Sequence, residues 1–246
     1  MRLDIPCLTC LMANADRLET KFYDIYRQAD LRDDDRYTHT CPKGHVTDFL
    51  LTNPRFEVLF EVGLNAIVDG YPREAVNSFA GSLERFQEFA IRVLIRRVDP
   101  GSEVIDFMWK PLARQSERQL GAFVSLWVSG FKAMPRLQSQ GDIEFRNGVI
   151  HRGALASIGD ATAYGERMLA IIRDNSALLR ASHAAEIATM AQTKLDQAKR
   201  LIDGVAPSGY GLGTLASLAA EPDIGLIGYL EQLEARRRLM ISAGKR

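Results

Sequence analysis

The sequence predicts a mainly α protein, a helical bundle preceded by a small α+β module, and three observations predict it. Between residues 54 and 246 nothing alternates for long with the period of two that a half-buried strand shows. Val76, Phe79, Leu83, Phe86, Ala90, Val93 and Leu94 recur instead at helical spacing and draw one apolar stripe along a long helix. All three cysteines, Cys7, Cys10 and Cys41, precede residue 42, and His45 follows the last of them. The expected organisation is a metal-binding module over 1–52, a bundle over 53–205, and a Gly-rich loop with a C-terminal helix over 206–246.

The N-terminal module comes first. Short extended pieces are expected near Leu3–Ile5, Arg36–Thr40 and Val46–Leu51. They bracket a helical stretch in which Leu11, Ala15, Leu18, Phe22 and Ile25 keep the helical period, and Asp33-Asp34-Asp35 breaks that stretch. Cys7-x2-Cys10 and Cys41-x3-His45 together supply the four soft or borderline ligands that tetrahedral Zn²⁺ takes. In Cys41-Pro42-Lys43-Gly44, Pro at the second and Gly at the fourth position suit a type I turn, which would bring Cys41 and His45 to one point. A closed four-ligand set leaves no position for a reactive water, so the zinc is expected to be structural. His39 is the alternative fourth ligand, ranked after His45. The bland alternative is three reduced, buried thiols.

The bundle follows. Asn53-Pro54 reads as a cap with proline at the first helical position. Phe56, Leu59, Phe60, Gly63, Leu64, Ile67 and Val68 mark the helix that Gly70 stops. Pro72 restarts the chain into the long striped helix, which ends before Asp99-Pro100-Gly101. A third helix is expected from Ser116 to Lys132, carrying Leu120, Phe123, Val124, Trp127 and Phe131, with Pro135 beyond it. Further helices are expected over Gly159–Leu179, over the Ala-rich stretch Ser182–Ile202, and over Ile224–Leu239, where Arg236-Arg237-Arg238 would sit at a C-terminus that favours cations. Gly204 to Gly213 reads as a loop. Its Gly-x-Gly pieces follow no expected strand, which argues against a phosphate cradle.

Composition narrows the function classes. Lys+Arg and Asp+Glu are both 31, so no global field steers the chain toward nucleic acid, and any RNA contact must be local. No run of eighteen apolar residues and no apolar signal core in Met1-Arg2-Leu3-Asp4-Ile5-Pro6 is present, so the expectation is a cytoplasmic protein with no membrane partner.

One segment carries candidate chemistry. In Phe145-Arg146-Asn147-Gly148-Val149-Ile150-His151-Arg152-Gly153, an Arg, an adjacent amide and a His are the residue types that can cleave RNA without a metal. The guanidinium can hold a phosphate bidentately, and an imidazole can exchange a proton with a ribose hydroxyl or a leaving oxygen. This segment resembles the Arg-x4-to-6-His signature of the HEPN superfamily (higher eukaryotes and prokaryotes nucleotide-binding). The helical order around it is similar too, over roughly 54–205, and the segment Arg73 to Arg97 resembles the first long helix of such domains. The resemblance implies a HEPN-like bundle that forms a homodimer with two signatures facing across a groove. His151 would be general base or acid, Arg146 the phosphate clamp, and Asn147 an orienting amide. The implied products are a 2′,3′-cyclic phosphate and a 5′-hydroxyl, in a defence or stress role. Arg152-Gly153 follows His151, where the toxin branch paired with nucleotidyltransferases has a Tyr two places after the His, so control by AMP transfer to such a Tyr is not expected.

Arg146 and His151 would stand about 140° apart on an ideal helix. A turn or helix junction at Asn147-Gly148 is therefore expected, to aim both into one cleft. Glu144 could assist His151, but an acid on a helix face is ordinarily just solvated. His183 is expected to be filler, Arg92, Arg96 and Arg97 a solvated helix end rather than a phosphate grip, and Trp109 and Trp127 core. The competing function is a non-catalytic helical adaptor whose zinc module binds protein or nucleic acid.

Overall fold

The structure, a computed structural model, describes residues 1–13, 26–98, 103–200, 208–218 and 224–244. It is mainly helical, with small sheets formed largely by the N-terminal region, and it divides into two units. The first takes residues 1–53, 191–212 and 234–246; the second takes 54–190 and 213–233. The stretch expected to stand apart from 206 onward is thus shared between the units.

In the first unit, β1 (Arg2–Pro6) runs antiparallel to β2 (Tyr26–Asp30), with Arg2 opposite Asp30 and Pro6 opposite Tyr26. Leu3 and Ile5 are buried while Asp4 between them is not, the alternation that a one-sided sheet imposes. The helix α1 (Leu8–Ala13) follows β1 directly; of the stretch expected to be helical up to Asp33, residues 14–25 lie outside the described residues, and Tyr26–Asp30 is not helix but the strand β2, which pairs with β1. β3 (Arg36–Thr40) and β4 (Val46–Leu51) form an antiparallel hairpin closed by residues 41–45. Asp35, at φ 55, accepts a hydrogen bond from the Leu51 amide on its carbonyl and one from Lys194 on its carboxylate.

Two expectations fail here for the same reason. Ser208–Tyr210 is not loop but a short strand, β5, parallel to β4 with Tyr210 opposite Leu51 and its ring edge-on to Phe49. Nor is Asn53 a helix cap. Its amide donates to the Leu212 carbonyl at 3.0 Å and accepts from the Leu212 N–H at 2.6 Å, so Pro54 becomes the N-cap residue. In both cases a partner more than 150 residues away in sequence supplies backbone hydrogen bonds that local propensity does not anticipate.

The second unit is built round its longest helical pair. α2 (Arg55–Val68) stops at Gly70, at φ 79, as expected, and α3 (Pro72–Arg96) turns back along it. Phe56 meets Phe86 and Phe89 while Phe60 meets Phe79, the order of contacts that an antiparallel pair produces. Val76, Phe79, Leu83, Phe86, Ala90, Val93 and Leu94 are all buried, so the stripe is the core face of α3. α4 (Glu103–Leu112) was not foreseen; it carries Pro111 near its end. α5 (Ser116–Phe131) ends on Lys132 at φ 55 and packs on α3 through Phe86 and Phe123.

α6 (Gln140–His151) also lies on α3, and α7 (Ile158–Arg200) and α8 (Leu226–Gly244) begin in this unit. The two helices expected over 159–179 and 182–202 are the two parts of α7, which meet at a kink at His183, where φ −135 and ψ 32 are not helical. α8 continues past Arg238 to Gly244, which places Arg236-Arg237-Arg238 inside the helix, not at its end; Arg238 pairs with Glu234 one turn earlier.

Buried carboxylates hold the C-terminal segment of this unit. Glu61 accepts from the Tyr229 hydroxyl at 3.1 Å, and Glu57 accepts from the Leu218 N–H at 2.9 Å and from Thr214. Among the described residues no helix is long and apolar enough to cross a membrane.

Candidate functional site

Two groups of the expected site residues come together, one in each unit. Cys7 immediately precedes α1 and Cys10 lies within its first turn, while Cys41 and His45 bound the β3–β4 loop. In that loop the Gly44 N–H donates to the Cys41 carbonyl at 2.9 Å and the Cys41 N–H to the His45 carbonyl at 3.0 Å. Gly44 sits at φ 82, a conformation that glycine takes without strain. The four ligand atoms all lie within 4.8 Å of one another, and none of the cysteines is in a disulfide.

The edges of the cluster can be tested against a metal. Bonds of ~2.3 Å to sulfur and ~2.0–2.1 Å to nitrogen at tetrahedral angles require S–S edges near 3.8 Å and S–N edges near 3.6 Å. The Cys10–Cys41 edge is 3.8 Å, and His45 Nδ1 stands 3.8, 3.3 and 3.5 Å from Cys7, Cys10 and Cys41. The set can hold a metal ion. His39, the alternative ligand, is not part of it: it lies on β3, opposite Thr47. Burial acts to raise the Cys41 thiol, but the His45 and Lys43 N–H groups donate to its sulfur and bring it down to about 6. Burial and the hydrogen bonds with Cys7 and Cys41 push Cys10 up to about 11. Cys41 is thus the sulfur prepared as a thiolate, the form that ligates.

The second group lies on α6. A capping box starts the helix: Ser139 Oγ accepts from the Asp142 N–H, and Asp142 accepts from the Ser139 N–H. Asp142 also takes an ion pair from Arg167 on α7. Asn147-Gly148 makes no turn, contrary to expectation, and the helix runs unbroken through both. It ends later, where the Arg152 N–H reaches the Asn147 and Gly148 carbonyls and Gly153 takes φ 73. Nothing in the packing requires glycine at 148: a Cβ there would make ordinary contacts, 3.4 Å from the end of the Arg152 side chain and 3.8 Å from the Ala154 Cβ.

Arg146, Asn147 and His151 nevertheless line one cleft, of about 720 Å³. Asn147 lies between the other two in helical angle, so the wall is an arc of α6 with Ile143 at its foot. α3 supplies Ala80, Leu83, Glu84 and Gln87, a stripe at i, i+3, i+4 and i+7, and α5 supplies Glu117 and Leu120. Arg146 donates to Glu84 at 2.8 Å and to the Asn147 side-chain Oδ1 at 3.1 Å, and is part-buried. His151 is exposed at the mouth. Gln138, which also lines the cleft, donates to the Tyr164 hydroxyl at 2.9 Å, and burial pushes that phenol up to about 12.

Sequence reasoning missed Glu84, Gln87, Glu117 and Gln138. For Glu84 and Gln87 a signal existed, polar residues flanking the apolar stripe of α3; nothing local marked the other two. The remaining candidates are structural. Glu144 is exposed and accepts from Gln140, away from the cleft. Arg92 pairs with Glu88 and Asp106 and stacks on Trp109, so the solvated helix end is in part an ion-pair network. Trp109 is only part-buried, whereas Trp127 is fully buried. His183 is buried against Phe131 at the α7 bend.

No family model, curated protein or solved structure matches the chain.

Proposed function

We propose that the chain is a metal-independent endoribonuclease of HEPN type, with a zinc ion held structurally by Cys7, Cys10, Cys41 and His45. The observation that carries the reading is the cleft itself: an Arg with a carboxylate partner, an amide and a solvent-reachable imidazole share one cavity on one helix arc.

In this reading Arg146 clamps the scissile phosphate and offsets charge developing on its oxygens. Glu84 positions the guanidinium, and Asn147, whose oxygen is taken by Arg146, keeps its NH₂ for the nucleotide. His151 takes the proton of the ribose 2′-hydroxyl. The 2′-oxygen bonds to phosphorus, the bond to the 5′-oxygen breaks, and a proton returns to that oxygen from water or from the imidazole of a second copy. The products are a 2′,3′-cyclic phosphate and a 5′-hydroxyl. A homodimer with the two clefts facing, acting in defence or stress in the cytoplasm, completes the reading. The zinc module is its architectural part, because four protein ligands leave no open coordination position.

The test is incubation of single-stranded RNA with the full chain in EDTA. His151→Ala should lower the rate by about 10²–10⁴ with the helical signal intact. Arg146→Ala should do the same and weaken RNA binding, since it removes a charge-assisted phosphate contact. DNA, which lacks the 2′-hydroxyl, should be spared. If His151→Ala cleaves as fast as the parent, or no RNA is cut, the second reading takes over: a helical adaptor organised by a metal-binding module, favoured by the closed Cys3His set.

A further inference from the structure

The cleft is chemically two-sided. Its α6 rim offers hydrogen-bond donors, from Arg146, the Asn147 NH₂ and Arg152, and the His151 imidazole beside them. The facing wall from α3 and α5 offers an amide and a carboxylate, Gln87 and Glu117, beside the apolar Leu83 and Leu120.

Which of these groups the protein itself uses narrows the ligand. Glu84 is taken by Arg146, and the Gln138 NH₂ by Tyr164 and Met168. Gln87 is half-buried and makes no hydrogen bond to any described residue. Among the described residues, Glu117 meets only the Ser116 hydroxyl, at 3.5 Å. The Gln87 amide and the Glu117 carboxylate on this wall are therefore open to a ligand, set among leucines.

A phosphate is an acceptor throughout and cannot sit at Glu117; it belongs on the α6 rim. What the wall requires is a flat apolar body whose edge presents two adjacent donors to the carboxylate and one acceptor to the amide. Guanine has that edge: N1–H and N2–H beside each other for Glu117, and O6 for the Gln87 NH₂. Uracil places a carbonyl on either side of its one N–H. Adenine sets a ring acceptor beside its amino group. Either would turn a lone pair toward the exposed Glu117 carboxylate, which repels it, whereas guanine presents two donors there.

We infer that this cleft selects guanosine, holding the base against Gln87 and Glu117 and the attached phosphate on the α6 rim, so that RNA is cut beside guanosine. The inference rests on reading the cleft as an RNA site, but its test separates the two.

The experiment is calorimetric titration of the full chain with guanosine 3′-monophosphate and, separately, uridine 3′-monophosphate. The guanosine nucleotide should bind about 10–100-fold more tightly, the worth of a bidentate base contact. Glu117→Gln, on an exposed first-turn residue, should bring it down to the uridine level, and Gln87→Ala should lower it in part. Equal affinities that both fall with Arg146→Ala would overturn the guanine inference and leave the RNA reading standing, as would Glu117→Gln retaining the preference. No binding of either nucleotide together with no RNA cleavage would sink both.

Discussion

Phe79 on α3 is held between two glycines on different helices, and the pair gives a sharp test of how the bundle is packed. A Cβ built on Gly63 of α2 would stand 2.5 Å from one edge of the ring, and one built on Gly165 of α7 would stand 2.7 Å from the other edge. Ordinary carbon contacts lie at ~3.5–4.0 Å, so one methyl demands a shift of about 1 Å. The ring is fully buried and cannot retreat from α2 without moving into α7. Overpacking of this kind costs ~1–3 kcal/mol. Gly→Ala inside a helix also gains ~1 kcal/mol of propensity, which a control removes: Gly121 on α5 is exposed with nothing within 4 Å of an added Cβ. Gly121→Ala should therefore stabilise by ~0.5–1 kcal/mol. Gly63→Ala should fall below it by the full overpacking term, ~1–3 kcal/mol. Urea unfolding followed by far-ultraviolet circular dichroism measures both. In a Phe79→Leu background the penalty of Gly63→Ala should largely vanish, a coupling of at least ~1 kcal/mol between touching residues. Equal stabilisation by Gly63→Ala and Gly121→Ala would refute the reasoning, because it would mean that the ring has room.

Four more expectations are open to measurement. The full chain should bind one zinc, and Cys41→Ser should abolish binding and unfold the N-terminal region while most of the helical signal persists; metal analysis showing zinc retained by that variant would end the assignment. Asp142 should make the bundle acid-sensitive: burial opposes its charge, but hydrogen bonds from Ser139 and Arg167 outweigh that and hold its carboxyl below the usual range. The stability it adds is present above ~4, the unfolded value, and is lost as pH falls through the lower folded value, so Asp142→Asn should flatten unfolding free energy against pH below about 4. Glu84→Gln should change stability by less than ~1 kcal/mol, because the ion pair with Arg146 is part-exposed, yet should slow RNA cleavage if Glu84 positions the clamp. Light scattering should report a dimer at micromolar concentration that Cys41→Ser leaves intact if the contact lies in the bundle.

Much of this protein is written locally. The stripe from Val76 to Leu94 named the core face of α3, because a period near 3.6 leaves one side of a helix to be buried. Gly70 and Pro72 punctuated the α2–α3 hairpin, because each restricts or releases the backbone at its own position. The Cys7, Cys10, Cys41 and His45 set was legible because the ligand chemistry is carried by rare residue types and the intervening turn by Pro42 and Gly44.

What only the tertiary structure decided involves partners far apart in sequence. β5 is a strand because β4 offers it hydrogen bonds, and Asn53 abandons capping because Leu212 comes within reach. Asn147-Gly148, a turn dipeptide in isolation, stays helical in a segment started by the Ser139–Asp142 box and fastened to α7 through Arg167. Arg146 and His151 share a cleft without any bend, because α3 and α5 wall off the whole arc of α6 that carries them. Side chains such as Glu84 and Glu117 join the cleft only through that enclosure, and no period or spacing in the chain encodes which helices will meet.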